Sequence, residues 1–424
     1  MDRPEPEAMP IGPMRHIGAA LLQIVSYAGS VLIGIAAFFA SAFLFDSPAI
    51  LAIIGLMVGA MIVAIGSLLV GKLWRLRRLK IYVAGQIILL LMVNGLLAYY
   101  IFQPLVPEVE QFVPQKDEGT EYWELSTGSN IAVRRYESAV ATSKPPIIIL
   151  HGGPGAYSVS FKPMINVYSK LADDGYDVYL YDQIGSGLSA RLQDISQYSL
   201  DRHIADLRSV QRKIGADQVI LIGSSWGATL ASNYLARYPT QVARVIFSGP
   251  GPIYLPDWPR QSDGKLDDKM NAQQKQRLDA NLEKPRLFAA IFLAEINPVA
   301  ALKFAPDREM GSFFDQIANR HYLPLAFCDP IKNITRSDGY GFWSSRMTGK
   351  TLLNRTDDPK ANLKKNSVPV LILRGTCDYK TEAVAQQYAS VFPNALFITV
   401  QGAGHMIYGE KPSEYLKLVR AFLE

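Results

Sequence analysis

Charge is absent where it would be most noticeable. Three stretches of this 424-residue chain, 17–45, 47–71 and 81–107, contain no Asp, Glu, Lys, Arg or His. Each reaches the ~20 apolar residues that a helix needs to cross a bilayer. The first is too long for the ~7–15-residue apolar core of a cleavable signal peptide, and two more follow it, so three retained membrane helices are expected. A buried soluble hairpin is the competing reading, and three such runs in succession argue against it. With no ionisable group inside the spans, an ion or proton pathway is disfavoured and an anchor is expected.

Cysteine is scarce, with Cys328 and Cys377 alone. Two thiols are not a disulfide framework, although they can pair outside the cytoplasm. No Cys/His cluster has metal-ligand spacing, so no metal is expected. No basic stripe with interleaved aromatics is present, which argues against nucleic acid as a partner. Internal repeats and low-complexity tracts are also missing.

What is present begins with the loop between the second and third runs. It carries Lys72, Arg75, Arg77, Arg78 and Lys80 without an acid, and accounts for part of the net charge of +5. Short basic loops stay in the cytoplasm. The expected topology therefore has residues 1–16 inside, a three-span anchor over 17–107, and the rest of the chain extracytoplasmic. Gln86, Asn94 and the Gly55/Gly59 pair are candidates for helix packing. Residues 108–120, stiffened by prolines at and before 114, read as a juxtamembrane linker.

Beyond the linker the pattern changes to alternating strands and helices. Residues 121–137 read as a hairpin with a Thr127-Gly128-Ser129-Asn130 turn. Buried-strand patterns at 146–150, 177–181, 218–222 and 242–247 are interleaved with helical periods at 201–214 and 228–238. The alternation stops near 252 and resumes with strands at 368–374 and 395–400 and helices at 381–391 and 413–423. Such alternation implies a mostly parallel sheet covered by helices on both faces. The interruption is too long for a loop, so an inserted helical cap is expected. The expected domains are a core over 121–251, the cap over 252–366, and the rest of the core over 367–424.

Ligands of such sheets bind beyond the carboxyl ends of the strands. At one such end stands Gly223-Ser224-Ser225-Trp226-Gly227, a G-x-S-x-G between strand and helix patterns. This arrangement pushes the Ser225 hydroxyl above the sheet on a tight turn that the flanking glycines permit. Asp378 and His405 follow later strands, and the chain order Ser, Asp, His is that of an α/β-hydrolase triad. A serine hydroxyl needs an imidazole to take its proton, and the imidazole needs a carboxylate on its other nitrogen. Asp357 and Asp358 are alternatives for the acid, but no strand precedes them. His203 and His321 are poorly placed rivals of His405. Asp182, at another strand end, is expected to hold the Gly185-Ser186-Gly187 loop. His151-Gly152-Gly153-Pro154-Gly155 follows the strand expected to supply the second oxyanion donor. The donors are therefore the N–H groups of Trp226 and Gly153.

These segments, with Asp182-Gln183-Ile184-Gly185-Ser186-Gly187-Leu188-Ser189 and Gly402-Ala403-Gly404-His405, resemble the prolyl iminopeptidase group of α/β-hydrolases over residues 120–424. The resemblance implies a serine aminopeptidase that releases an N-terminal residue, often proline, from short peptides, without a metal or organic cofactor. It also implies cap acids that hold the substrate's amino group; Glu283 and Glu295 are candidates, as are Asp315 and Asp329. Ile184 and Leu188 stand where the family usually has basic residues, and Ala156 where it often has glycine. Family members are mostly soluble and cytoplasmic, unlike the anchored enzyme expected here. An esterase, lipase or amidase acting on acyl compounds near the bilayer is an alternative. A non-catalytic binding or receptor module on the same scaffold is another, disfavoured by the intact triad.

Overall fold

The computed structural model describes residues 13–74, 79–115, 118–140, 143–258, 264–329 and 338–424. Most of the expected cytoplasmic N-terminus and Arg75, Arg77 and Arg78 of the basic loop lie outside the described residues. Eight strands are β1 (Glu121–Glu124), β2 (Asn130–Tyr136), β3 (Ile147–Leu150), β4 (Val178–Tyr181), β5 (Val219–Ser224), β6 (Val242–Ser248), β7 (Val370–Gly375) and β8 (Ala395–Val400). The helices begin with α1 (Pro13–Ser41), α2 (Pro48–Leu73), α3 (Leu79–Phe102), α4 (Lys162–Tyr168), α5 (Leu200–Ile214) and α6 (Trp226–Arg237). The insertion contributes α7 (Ala272–Leu282), α8 (Pro285–Ile296), α9 (Pro298–Phe304), α10 (Asp307–Ile317), α11 (Phe342–Leu353) and α12 (Lys360–Leu363). The chain ends with α13 (Glu382–Val391), α14 (Ile407–Glu410) and α15 (Pro412–Leu423).

The chain forms two units. The first comprises Met1–Pro104 and Lys284–Pro306; the second comprises Leu105–Glu283 and Asp307–Glu424. In the first unit α1, α2 and α3 are each long and apolar enough to cross a membrane. Small residues set the packing of α1 on α2. A Cβ on Gly55 would lie 2.8 Å from the Gly34 carbonyl oxygen, and one on Gly59 would lie 3.2 Å from that of Ser30. Small residues at such positions let two helix backbones approach closely. Gln86 of α3 accepts a hydrogen bond from the Tyr27 hydroxyl of α1 at 2.7 Å, whereas Asn94 donates to Leu90 in its own helix. The surprise is α8 and α9. They belong in sequence to the insertion, yet they fall in this unit.

The second unit is built on one sheet in the order β1-β2-β4-β3-β5-β6-β7-β8. The first three pair antiparallel and the rest parallel. The central strands β3, β5 and β7 are continuous apolar runs because helices cover both of their faces. On one face α5 and α6 bury Leu207, Val210, Leu230 and Tyr234 against β5 and β6; on the other α4 and α15 bury Met164, Tyr415 and Val419. The start of α5 is fixed by the Ser199 side chain, which accepts from Arg202 N, and its end by Gly215 at φ 78°. Such caps satisfy helix-end groups that have no intrahelical partner.

Candidate active site

The segment between β5 and α6 is a strained elbow. Ser225 has φ 55°, the single positive φ of a non-glycine residue among those described. Its neighbours have no room for side chains. A Cβ on Gly223 would lie 2.4 Å from the Gly227 carbonyl oxygen, and one on Gly227 would lie 2.0 Å from that of Leu150. The two glycines thus let the turn close against β3, and the strain at Ser225 is held by packing on every side.

His405 and Asp378 meet as a buried pair. His405 Nδ1 lies 2.7 Å from Asp378 Oδ1, which also accepts the backbone N–H of Lys380 at 2.9 Å. Burial pushes the Asp378 carboxyl up, but the imidazole, its hydrogen bond, the Lys380 N–H and Arg374 outweigh that and leave it below the usual carboxylate range. The ionised carboxylate can therefore hold the imidazole by Nδ1, leaving Nε2 toward the cavity. Gly249, after β6, makes the pair possible. It has φ 50°, and a Cβ there would lie 2.7 Å from the His405 carbonyl oxygen and 3.2 Å from Asp378 Oδ2.

Ser225 and His405 line one cavity of about 190 Å³. No hydrogen bond joins them; the Tyr379 hydroxyl lies 3.5 Å from His405 Nε2. Catalytic hydrogen bonds are commonly long before substrate is in place. As the first residue of α6, Trp226 has an N–H without an intrahelical acceptor. The His151–Gly155 loop lies beside it: a Cβ on Gly152 would be 3.3 Å from Ser225 Cβ. Gly153 has φ 116° and Gly155 φ 88°, so both occupy conformations that favour glycine.

A polar chain locks this loop from beneath. Gln183 N donates to His151 Nε2 at 2.9 Å, and the Gln183 amide donates to the His151 carbonyl at 3.2 Å. Trp226 Nε1 donates to Gln183 Oε1 at 2.8 Å. Because Gln183 N donates to it, His151 Nε2 is the acceptor nitrogen, with Nδ1 2.9 Å from the Gly152 carbonyl oxygen; burial lowers the pKa of this imidazole. Asp182 holds the neighbouring loops: it accepts from the N–H groups of Ser158, Val159 and Leu188. A disulfide between Cys328 and Cys377, with Cα atoms 5.0 Å apart, ties the insertion to the residue preceding Asp378. His405 N also donates to Ala326 O at 2.7 Å. The insertion and the acid–imidazole pair are thus joined covalently and by hydrogen bonding.

Sequence reasoning missed Gln183, Gly249 and Tyr379. The first follows the end of β4 and the second that of β6, so strand-end position was an available signal. Tyr379 follows Asp378 directly, but nothing in its type distinguishes it. The candidate cap acids are placed differently from the triad. Glu283 is exposed at the end of α7, Asp329 is exposed, and Glu295 lies on α8 in the first unit. None of them lines the cavity around Ser225, nor does any other carboxylate among the described residues. Asp315 lines a second cavity of about 420 Å³, with Tyr340 bordering both. Burial raises the Asp315 pKa to about 7, although the N–H groups of Gly339 and Tyr340 donate to it.

The α/β-hydrolase fold family matches residues 145–412. A proline iminopeptidase of Heyndrickxia coagulans is 28% identical over 305 residues, covering 70% of this chain and 96% of that protein. One from Clostridium botulinum strain Hall is 35% identical over 283 residues, covering 66% of this chain and 90% of its own. The crystal structure of a Mycobacterium smegmatis proline iminopeptidase superposes with TM-score 0.48 at 21% identity, over 72% of this chain and 97% of that one. With the family match over residues 145–412 and these two sequence relatives, the chain belongs to the α/β-hydrolase family, among proline iminopeptidase homologues.

Proposed function

We propose that the protein is a membrane-anchored serine hydrolase that works through an acyl-enzyme. Ser225 Oγ attacks the substrate carbonyl carbon while His405 Nε2 takes its proton. Asp378 keeps the imidazole oriented and stabilises the imidazolium. The developing oxyanion accepts hydrogen bonds from the N–H groups of Trp226 and Gly153. The tetrahedral centre then collapses, the leaving group receives the proton from Nε2, and the acyl group stays on Ser225. Water, deprotonated by the same imidazole, attacks the acyl-enzyme and frees the acid and Ser225. The observation that carries this reading is the buried His405–Asp378 bond of 2.7 Å, on a cavity shared with a strained Ser225. The anchor is supported by the three membrane-length apolar helices.

For the substrate, the proline iminopeptidase relatives favour release of an N-terminal residue from short peptides. One observation favours a second reading, hydrolysis of uncharged acyl esters or amides. The cavity wall is apolar and tyrosine-rich, with Phe161, Phe314, Tyr157 and Tyr322, and no carboxylate lines it among the described residues. A cationic amine enclosed in such a wall needs an anionic partner. Turnover of proline-β-naphthylamide beside a p-nitrophenyl ester series separates the two. Amide release dependent on a free α-amine supports the peptidase; ester turnover with no aminoacyl-amide cleavage rejects it.

A further inference from the structure

Helix α8 has the composition of neither a membrane span nor a soluble helix. It is 12 residues long, too short to cross a bilayer. Yet Phe288 and Phe292, one turn apart on the same face, are 60% and 53% exposed. Large paired aromatics are rarely left in water without a partner.

Its contacts within the first unit indicate where this face lies. The ring of Phe292 packs edge-on against Phe39 of α1, with centroids 4.7 Å apart. Arg286 donates to the carbonyl oxygens of Ile101 and Phe102, which have no acceptor role left inside α3 because the helix ends there. In α9, Phe304 packs on Phe102 at 5.4 Å and Phe38 at 6.5 Å. Asn297, between α8 and α9, donates to the Ala42 carbonyl and to Asp46 Oδ1 at 2.8 and 2.9 Å. Lys303 forms an ion pair with Asp46 at 3.7 Å.

Every one of these partners belongs to a single end of the membrane-length bundle: the last turn of α1, the α1–α2 turn and the last turn of α3. Arg286, Asn297 and Lys303 make their polar contacts at that end. The same end carries further exposed apolar groups, among them Phe43, Leu44, Tyr99 and Tyr100. An aromatic belt above an apolar bundle is the pattern of a membrane–water interface. Amphipathic helices that bury one apolar face at the acyl–headgroup boundary have this division of polar and aromatic groups.

We infer that α8 is an interfacial helix whose Phe288 and Phe292 lie against lipid, so that this segment of the first unit is embedded in the bilayer surface in addition to the three spans. This rests on the membrane reading of α1–α3. The consequence for the enzyme is one of connection. The chain passes between the two units after Pro104, after Glu283 and after Pro306. The last passage opens directly into α10, whose Phe314 lines the cavity around Ser225. Phe292 thus lies 15 residues in sequence before Asp307, the start of α10, and 22 before Phe314.

The test is photocrosslinking of the full chain in phosphatidylcholine/phosphatidylglycerol vesicles. Benzoylphenylalanine replaces Phe288 or Phe292 singly, with Met92 in α3 and Leu396 on β8 as reference positions. Lipid adducts at 288 and 292 as abundant as at 92, and absent at 396, are expected. Adducts at 92 alone would overturn the inference while leaving the spans intact. Loss of adducts at 92 as well would overturn the membrane reading itself. Crosslinks at 288 or 292 to a second copy of the chain, without lipid, would assign the face to self-association and also reject the inference.

Discussion

Strand β5 of the second unit buries all of its residues from Val219 to Ser224, whereas α2 of the first unit buries a single stripe. That stripe runs through Leu51, Gly55, Gly59, Val63, Ser67 and Val70 at steps of about one turn, and apolar residues between them, such as Met57 and Ile53, face outward. The same residue types therefore do opposite work. In the hydrolase unit, removal of leucine, isoleucine and valine from water drives the sheet together, at ~25 cal/mol per Å² buried. In the first unit many large apolar residues stay exposed, and small residues such as Gly34 and Gly55 let α1 and α2 approach closely. Under the proposed membrane reading, what differs is the solvent each unit is built for. Chemistry follows the same division. The buried His405–Asp378 pair belongs to the hydrolase unit, whereas the stretches 17–45, 47–71 and 81–107 along the three long helices hold no Asp, Glu, Lys, Arg or His.

The comparison predicts that changes in one unit leave the other intact, and it is broken where they do not. The largest effect is expected for Ser225→Ala, which should lower kcat by about 10⁴- to 10⁶-fold, with Asp378→Asn near 10⁴-fold. Both variants should fractionate with membranes as the parent does, checked by carbonate extraction. Release of either variant from the membrane would show that the units are not independent. Next in size is the Cys328–Cys377 bridge, which closes a loop with a sequence separation of 49. Its loss in Cys328→Ser should cost about 4 kcal/mol in stability. Heating should inactivate this variant sooner and leave the helical signal of the anchor unchanged.

A smaller effect concerns Asp315. Its pKa is raised from 3.8 to about 7 in the folded chain. The folded state therefore binds more protons than the unfolded state between those values, and this contribution to stability is present below the lower pKa and lost as pH rises through the upper one. Asp315→Asn should flatten the fall in unfolding temperature between pH 4 and pH 7. An equal slope in parent and variant would contradict the assignment. The smallest change expected is for Gln183→Ala, which removes the side-chain link between the His151 carbonyl and Trp226 Nε1 and keeps the backbone bond to His151 Nε2. A lost buried hydrogen bond of ~1–2 kcal/mol corresponds to roughly tenfold in kcat. An unchanged kcat would mean that the loop is held without it.

Much of the second unit could be read from the chain. Every strand pattern in 121–251 and 367–424 corresponds to a strand: the parallel ones are continuous apolar runs with no rival period, and the antiparallel β1–β2 hairpin is marked by its Thr127-Gly128-Ser129-Asn130 turn. The placement of Asp378 and His405 followed from strand ends and chain order. The grouping of Lys284–Pro306 with the membrane-length helices was not legible. Pro285–Ile296 is too short to register as a span and apolar enough to pass for a cap helix, so composition alone cannot separate the two. Nor were the supporting residues visible. Gly249 matters because of what its missing side chain would strike, and Gln183 because of three bonds to distant residues; neither property has a local pattern. Glu283 and Glu295 have the residue type of an amine-binding acid within the insertion, but type does not determine where an acid lies.

The central claim is that Ser225 is an activated nucleophile. The most direct measurement is labelling of the full chain in its membrane by a fluorophosphonate probe, with the adduct located by peptide mass spectrometry. The account predicts one adduct, on Ser225, lost in Ser225→Ala and strongly slowed in His405→Ala. A folded protein that takes no label, or that labels equally after Ser225→Ala, would contradict it.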